Sequence, residues 1–433
     1  MDLYQKPTTK SIYFWNIMGS FSNALLSVIV LMVITRTMSP VNSDIFSLAW
    51  SISQLMATIG TFQIRTYQAT DVTGKFSFKQ YLNFRFVCLI FMMVISILYI
   101  VFLNFDFYKS FVILLICIFR AVDCLADVYE GWFQQKERLD LSGKAQTARI
   151  IFCILFLFIS CLITKNLIYI CVSLILSYSI CFYFFDFTVY KKFFRSDQSK
   201  EKFDNWNIWL KKILKETIPL FFNSFLAMAI TNIPKMSIDS SIDQSLLSNG
   251  SQAIYNVIFM PASFLTLAYI VFRPLVTKMA ILWQEGEYRK YFLILIRIFS
   301  ILMFFCIPII FAANWIGCPV LSFFYGLDLS NQNWNLTIIL IGGCFYTFSC
   351  ILDNALVVMR KQYTLIIAYI LAAVTCWLFS DTLVFMYGIT GASLVYLISM
   401  IIFFITMLIL FILGYFHSIK NKTNVKIREE KRI

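Results

Sequence analysis

Residues 190–216 read YKKFFRSDQSKEKFDNWNIWLKKILKE. The stretch is charged almost throughout. Its second part sets Trp206, Trp209, Leu210, Ile213 and Leu214 at helical spacing, with Lys211, Lys212 and Lys215 between them. That pattern predicts an amphipathic helix lying at a membrane interface. On either side are runs of about 20 mainly apolar residues, the length a helix needs to cross a bilayer. Six precede it, at 12–35, 44–63, 84–104, 110–131, 147–164 and 167–189; six follow, at 217–236, 253–272, 291–312, 335–358, 363–384 and 390–414. The expected fold is therefore an all-α polytopic membrane protein, with twelve transmembrane helices in two six-helix lobes. Residues 1–189 form the first lobe, 190–216 a cytoplasmic linker, 217–414 the second lobe and 415–433 a basic tail.

Composition agrees. The 433 residues are 60% hydrophobic and 14% charged, with a mean hydropathy of +0.78, against about 45–50% and about 25% in soluble domains. No soluble core hides so much apolar surface, which excludes an ordinary cytosolic enzyme or a secreted domain. The many Phe, Tyr and Trp residues suit lipid-facing and headgroup-level surfaces. The single histidine, His417, excludes a multi-His metal site or a His-based triad. The 12 cysteines show no C-x-x-C spacing and read as small buried hydrophobes. Gly143-Lys144-Ala145 lacks the spacing of a nucleotide-binding loop, and neither G-x-S-x-G nor H-E-x-x-H occurs. No catalytic residue, cofactor or metal is therefore expected.

The net charge of +13 would suggest nucleic acid in a soluble protein. Here its distribution points elsewhere. With the N-terminus inside, every Lys and Arg falls on the cytoplasmic side except Arg36, Lys109, Lys165 and Lys235 near the outside and Arg120 in mid-helix. By the positive-inside rule both ends are cytoplasmic. Six spans per half give both halves the same orientation, so a repeat would be related by an axis along the membrane normal. Cys124-Leu125-Ala126-Asp127 in the fourth span and Cys350-Ile351-Leu352-Asp353 in the tenth support one. So do Ser43-Asp44-Ile45-Phe46 and Gln252-Ala253-Ile254-Tyr255, which open the second and eighth spans; Arg65 and Arg273 close those spans.

Charges inside spans are costly and are the informative residues. Arg120, Asp123, Asp127 and Glu130 fall on one face of the fourth span. That face either lines a polar path, with Asp123 or Asp127 taking up a coupling ion, or locks the lobe through pairing of Arg120 with Asp123 or Asp127. Asp353 is either paired or a second ion site. Pro234 removes a backbone donor from the seventh span and precedes Lys235. This reads as a hinge with a cation for an anionic ligand, or as a kink beside a snorkelling lysine. Arg65 and Arg273 are cationic candidates by their matched positions, or cytoplasmic anchors.

Several segments are similar to those of Wzx-like polysaccharide flippases, which belong to the MATE-like MOP superfamily. They are Arg65-Thr66-Tyr67-Gln68-Ala69-Thr70-Asp71 with Lys75-Phe76-Ser77-Phe78; Gly131-Trp132-Phe133-Gln134-Gln135; Asn232-Ile233-Pro234-Lys235; Phe272-Arg273-Pro274-Leu275; and Tyr387-Gly388-Ile389. They are spread over both halves. The resemblance implies a V-shaped pair of lobes in a bacterial inner (plasma) membrane. It also implies export of an undecaprenyl-pyrophosphate-linked oligosaccharide by alternating access, alongside glycosyltransferases and a polysaccharide polymerase. Lys235, Arg273, Arg65 and Arg120 would then face the anionic head group. A cation-coupled multidrug exporter of the same superfamily is the alternative, although cationic drugs would call for acidic rather than basic residues. A membrane glycosyltransferase or polymerase is a third reading. Its usual large external loop with catalytic residues is missing, since Asp328 is the one acid in 313–334.

Overall fold

A computed structural model describes residues 7–71, 75–194, 206–268, 273–359 and 361–430. The described residues are almost entirely helical and fall into two compact units, Met1–Met228 and Ala229–Ile433.

The first unit contains α1 (Thr9–Thr37), α2 (Pro40–Thr61), the short α3 (Ile64–Thr70), α4 (Phe78–Leu103), α5 (Phe107–Gln135), α6 (Leu139–Ile163) and α7 (Leu167–Cys181). A π-helical turn, Phe182–Phe187, carries α7 into α8 (Thr188–Phe194). Polar residues start these helices where the sequence offers them. Ser39 caps α2, Ser77 and Gln80 form a capping box on α4, and Asp106 accepts from Tyr108 and Lys109 at the head of α5. α1 packs along α6. The approach is close enough that a Cβ on Gly143 would lie 2.1 Å from the Trp15 carbonyl oxygen. Only glycine fits there.

The helix α9 (Trp206–Asp243) runs through Pro234 without a break and contains the boundary between the units. The amphipathic segment expected as a separate interfacial helix is thus the first part of a 38-residue helix. Its apolar face is buried. Trp209 and Ile213 join a core with Tyr81, Phe84, Tyr129 and Phe133. Phe221 stacks on Phe62 with ring centroids 4.3 Å apart, and Gln63 donates to Ser224 at 2.8 Å. These contacts assign the start of α9 to the first unit. Residues 195–205 of the expected linker lie outside the described residues.

The second unit continues with α10 (Ser251–Ala268), α11 (Arg273–Gln284) and α12 (Tyr288–Ala312). A π-helical turn, Ala313–Gly317, leads into α13 (Cys318–Tyr325), followed by α14 (Asn333–Val358) and α15 (Leu365–Glu430). Gly388, at φ +58° and ψ −132°, divides α15 into two helical parts. This is where the sequence separates the runs 363–384 and 390–414. The basic tail continues this helix to Glu430. Eight helices among the described residues are long and apolar enough to cross a membrane, with α15 counted as one. α2, α5 and α10 correspond to the remaining expected spans but carry more polar residues or are shorter.

Candidate functional site

The charges of α5 sit in two groups within the first unit. Nearer its start, Arg120 lies over the Trp50 ring at 4.3 Å and pairs with Asp123 at 3.3 Å. Tyr178 of α7 donates to the other Asp123 oxygen. The pairing expected for Arg120 is therefore with Asp123 and not with Asp127.

Asp127 and Glu130 belong to a second and larger group. Arg65 holds Glu130 at 2.6 Å and Asp127 at 3.3 Å. Arg85 of α4 binds Asp127 at 2.7 Å and donates to the Gly60 carbonyl at 2.7 Å. Arg149 of α6 binds both Glu130 and Asp186, the latter on the π-helical turn. Three arginines thus meet three carboxylates, and the network links α3, α4, α5, α6 and the turn after α7. Arg85, Arg149 and Asp186 have no exposed surface. At that depth an unmatched charge is costly.

Arg65 reaches this position through an unusual turn. Phe62 and Gln63 both have left-handed backbones, with φ of 44° and 52°, which costs energy in non-glycine residues. The turn redirects the chain from α2 into α3 and is held by the contacts of Phe62 and Gln63 with α9. Arg65 is the most exposed arginine of the network, with 29% of its side chain accessible.

In the second unit Lys235 is 7% exposed, and its ammonium lies 4.5 Å from the centre of the Phe259 ring. No carboxylate among the described residues lies within ion-pair distance of it. On the same helix, Ser237 donates to Asp381 at 2.6 Å and is 2.8 Å from the hydroxyl of Ser380. Asp353 of α14 accepts from Tyr369 at 2.9 Å and has no cation within ion-pair distance among the described residues. Arg273 heads α11, and its side chain lies outside the described residues.

The structure therefore separates the sequence candidates. Arg65, Asp127 and Glu130 come together in one network, Arg120 and Asp123 in another, and Lys235 and Asp353 belong to the other unit. In the sequence Arg85 and Arg149 count only among the basic residues of the cytoplasmic side; the structure shows both as buried partners of acids. Asp186 was detectable as a lone acid in the apolar run Phe182–Phe187. Phe259 and Tyr369 gave no signal, because an aromatic in an apolar span is indistinguishable from its neighbours.

The profile of a family described as "polysaccharide biosynthesis protein" matches residues 11–277. A comparison with curated proteins finds no match. Among solved structures, the lipid II flippase MurJ in an inward closed conformation superimposes with a TM-score of 0.66 at 14% identity, over 97% of this chain and 92% of that one. A MOP superfamily transporter from Pyrococcus furiosus gives 0.61 at 12% identity, over 96% and 99%. An outward-facing multidrug resistance MATE family transporter gives 0.59 at 13% identity, over 97% and 98%. The fold is that of the MOP superfamily.

Proposed function

The chain belongs to the polysaccharide biosynthesis protein family, and on that premise we propose that it is a flippase. It carries a polyprenyl-pyrophosphate-linked oligosaccharide from the cytoplasmic to the outer leaflet of a bacterial inner membrane by alternating access, and both its ends are cytoplasmic. One observation carries this reading. Among the buried cations described, the arginines of the first unit are matched by carboxylates, whereas Lys235 rests against an aromatic ring with no described carboxylate within ion-pair distance. A buried ammonium without a counter-ion is suited to an anion that arrives, and a pyrophosphate supplies one through charge-assisted hydrogen bonds. A multidrug exporter for cations is disfavoured on the same ground, since an uncompensated lysine repels such a substrate.

The remaining candidates take secondary roles. Arg65, partly accessible at the end of its network, already holds Glu130 and Asp127 and belongs with the ion pairs of the first unit. Arg120, held by Asp123 and Trp50, acts structurally. Among the acids proposed for ion coupling, Asp123 and Asp127 are already paired with arginines. Asp353, which accepts from Tyr369 and has no described cation within ion-pair distance, is the carboxylate available to take up a proton or cation. Pro234 gives α9 a point with a missing backbone bond, where it can bend as access alternates.

The test is a series at position 235, read as lipid-linked oligosaccharide on the cytoplasmic leaflet and polysaccharide at the cell surface. Lys235→Arg is expected to retain most transport, and Lys235→Ala and Lys235→Glu to lose it at unchanged protein level. Normal surface polysaccharide in Lys235→Glu would refute the cationic mechanism. Normal polysaccharide in a clean deletion, with no second flippase present, would refute the function.

A further inference from the structure

The helix α10 offers a second feature beside Lys235. The helices α9 and α10 are joined by residues 244–250, and they meet where Lys235 lies over Phe259. Each of these residues is about two helical turns from the connection, so the helices run back alongside one another. Gln252 and Phe259 are seven positions apart and therefore share a face of α10. Gln252 has no exposed surface, and neither its amide oxygen nor its amide nitrogen has a hydrogen-bond partner among the described residues. Glutamine can donate twice and accept twice. Burying both ends without partners is unfavourable, and an apolar residue would avoid the cost. Its neighbour Tyr255, by contrast, reaches the Ala392 carbonyl at 3.3 Å.

We propose that Gln252 is a hydroxyl-binding residue of the transport site and takes a sugar hydroxyl of the group whose anion is held at Lys235. The assignment rests on the flippase reading. A sugar hydroxyl both donates and accepts, which matches the two ends of the amide. Gln252 is about 10 Å from Phe259 along the helix axis, a separation that places it beside the first sugars when the pyrophosphate is at Lys235. The lysine then reads the feature common to all such lipids, and the glutamine reads the presence of sugar. A site that hydrogen-bonds a hydroxyl also discriminates against a ligand without one, because its own polar atoms are left unpaired.

The experiment uses the full chain in nanodiscs and measures the shift in melting temperature caused by polyprenyl pyrophosphate, either bare or carrying one N-acetylglucosamine. Both lipids are expected to stabilise the wild type, the sugar-bearing lipid by more. Gln252→Leu is expected to keep the shift with bare lipid and lose the extra shift from the sugar. Lys235→Ala is expected to lose both. Without lipid, Gln252→Leu should melt at or above the wild-type temperature, because two unpartnered buried atoms are removed; Gln252→Met controls for side-chain shape. A sugar-dependent increment retained in Gln252→Leu and Gln252→Met, or a lower lipid-free melting temperature in both, would overturn the assignment. Equal shifts of the wild type by both lipids would overturn it while leaving the flippase reading in place. No shift with either lipid would overturn both.

Discussion

Arg149 illustrates what burial does to a single charge. Its guanidinium lies between Glu130 and Asp186 and has no exposed surface. Removing one partner leaves an uncompensated charge, which costs about 3–5 kcal/mol, whereas removing both partners together is far milder. Arg149→Met is therefore expected to lower the yield and melting temperature of the folded protein, and Arg149→Met with Asp186→Leu to recover much of the loss. The measurement is detergent-solubilised melting followed by size-exclusion chromatography; a double variant no better than the single would contradict the pairing. Asp353 calls for the opposite outcome. It accepts one hydrogen bond from Tyr369, so Asp353→Asn keeps an oxygen for that bond and should leave the melting temperature nearly unchanged. If this carboxylate couples ion entry to transport, the rate in reconstituted vesicles falls severalfold and loses its dependence on the ion gradient. A normal gradient response in the variant would assign the residue to structure.

Two elements show how a local pattern acquires its meaning from packing. Trp209 and Ile213 are one turn apart on α9, and their spacing alone marks an apolar face. The structure packs that face on Tyr81, Phe84 and Tyr129. Trp209→Ala is accordingly expected to destabilise the protein by about 3–5 kcal/mol, the scale for emptying a buried aromatic site. A residue at the lipid interface would lose far less, and a change below about 1 kcal/mol would restore the interfacial assignment. The contact of α1 with α6 works in the other sense. Nothing in Gly143-Lys144-Ala145 indicates a helix crossing, yet a Cβ at position 143 would strike the Trp15 backbone. Gly143→Val should overpack this contact and lower the melting temperature, by the equivalent of about 1–3 kcal/mol. Gly286, where a Cβ would meet nothing within 4 Å, is the control position for added bulk; its positive φ of 83° makes Gly286→Asn the suitable substitution.

For the whole molecule, the proposed orientation rests on charge. If the basic residues of the sequence mark the cytoplasmic side, engineered cysteines at position 200 and in the tail are expected to label only in permeabilised cells, and one at position 331 from outside. External labelling at position 200 would reverse the topology. The repeat expected from the sequence would match Asp127 with Asp353, yet Asp127 is held by two arginines and Asp353 accepts from a tyrosine. The two units differ in electrostatics: the first contains a balanced ion network, and the second contains a buried lysine with no carboxylate within ion-pair distance among the described residues.

The all-helical, membrane-spanning character of the chain and the break between the runs 363–384 and 390–414 were legible in the sequence. They depend on the length of apolar runs, on backbone-permissive residues and on where charge is affordable, and these are local properties. The same local logic marked Lys235, Asp127 and Glu130 as charges that needed an explanation. Only tertiary structure decided their partners. Arg85 and Arg149 register in the sequence only as basic residues of the cytoplasmic side, because sequence gives their depth to within a few residues and gives nothing about which way they face. Their burial against Asp127, Glu130 and Asp186 depends on helices brought together from positions 19 to 42 residues away. The same holds for Phe259 beneath Lys235 and for the unpartnered amide of Gln252. Whether a polar group is matched depends on its neighbours in space, and a single chain read in order cannot supply those.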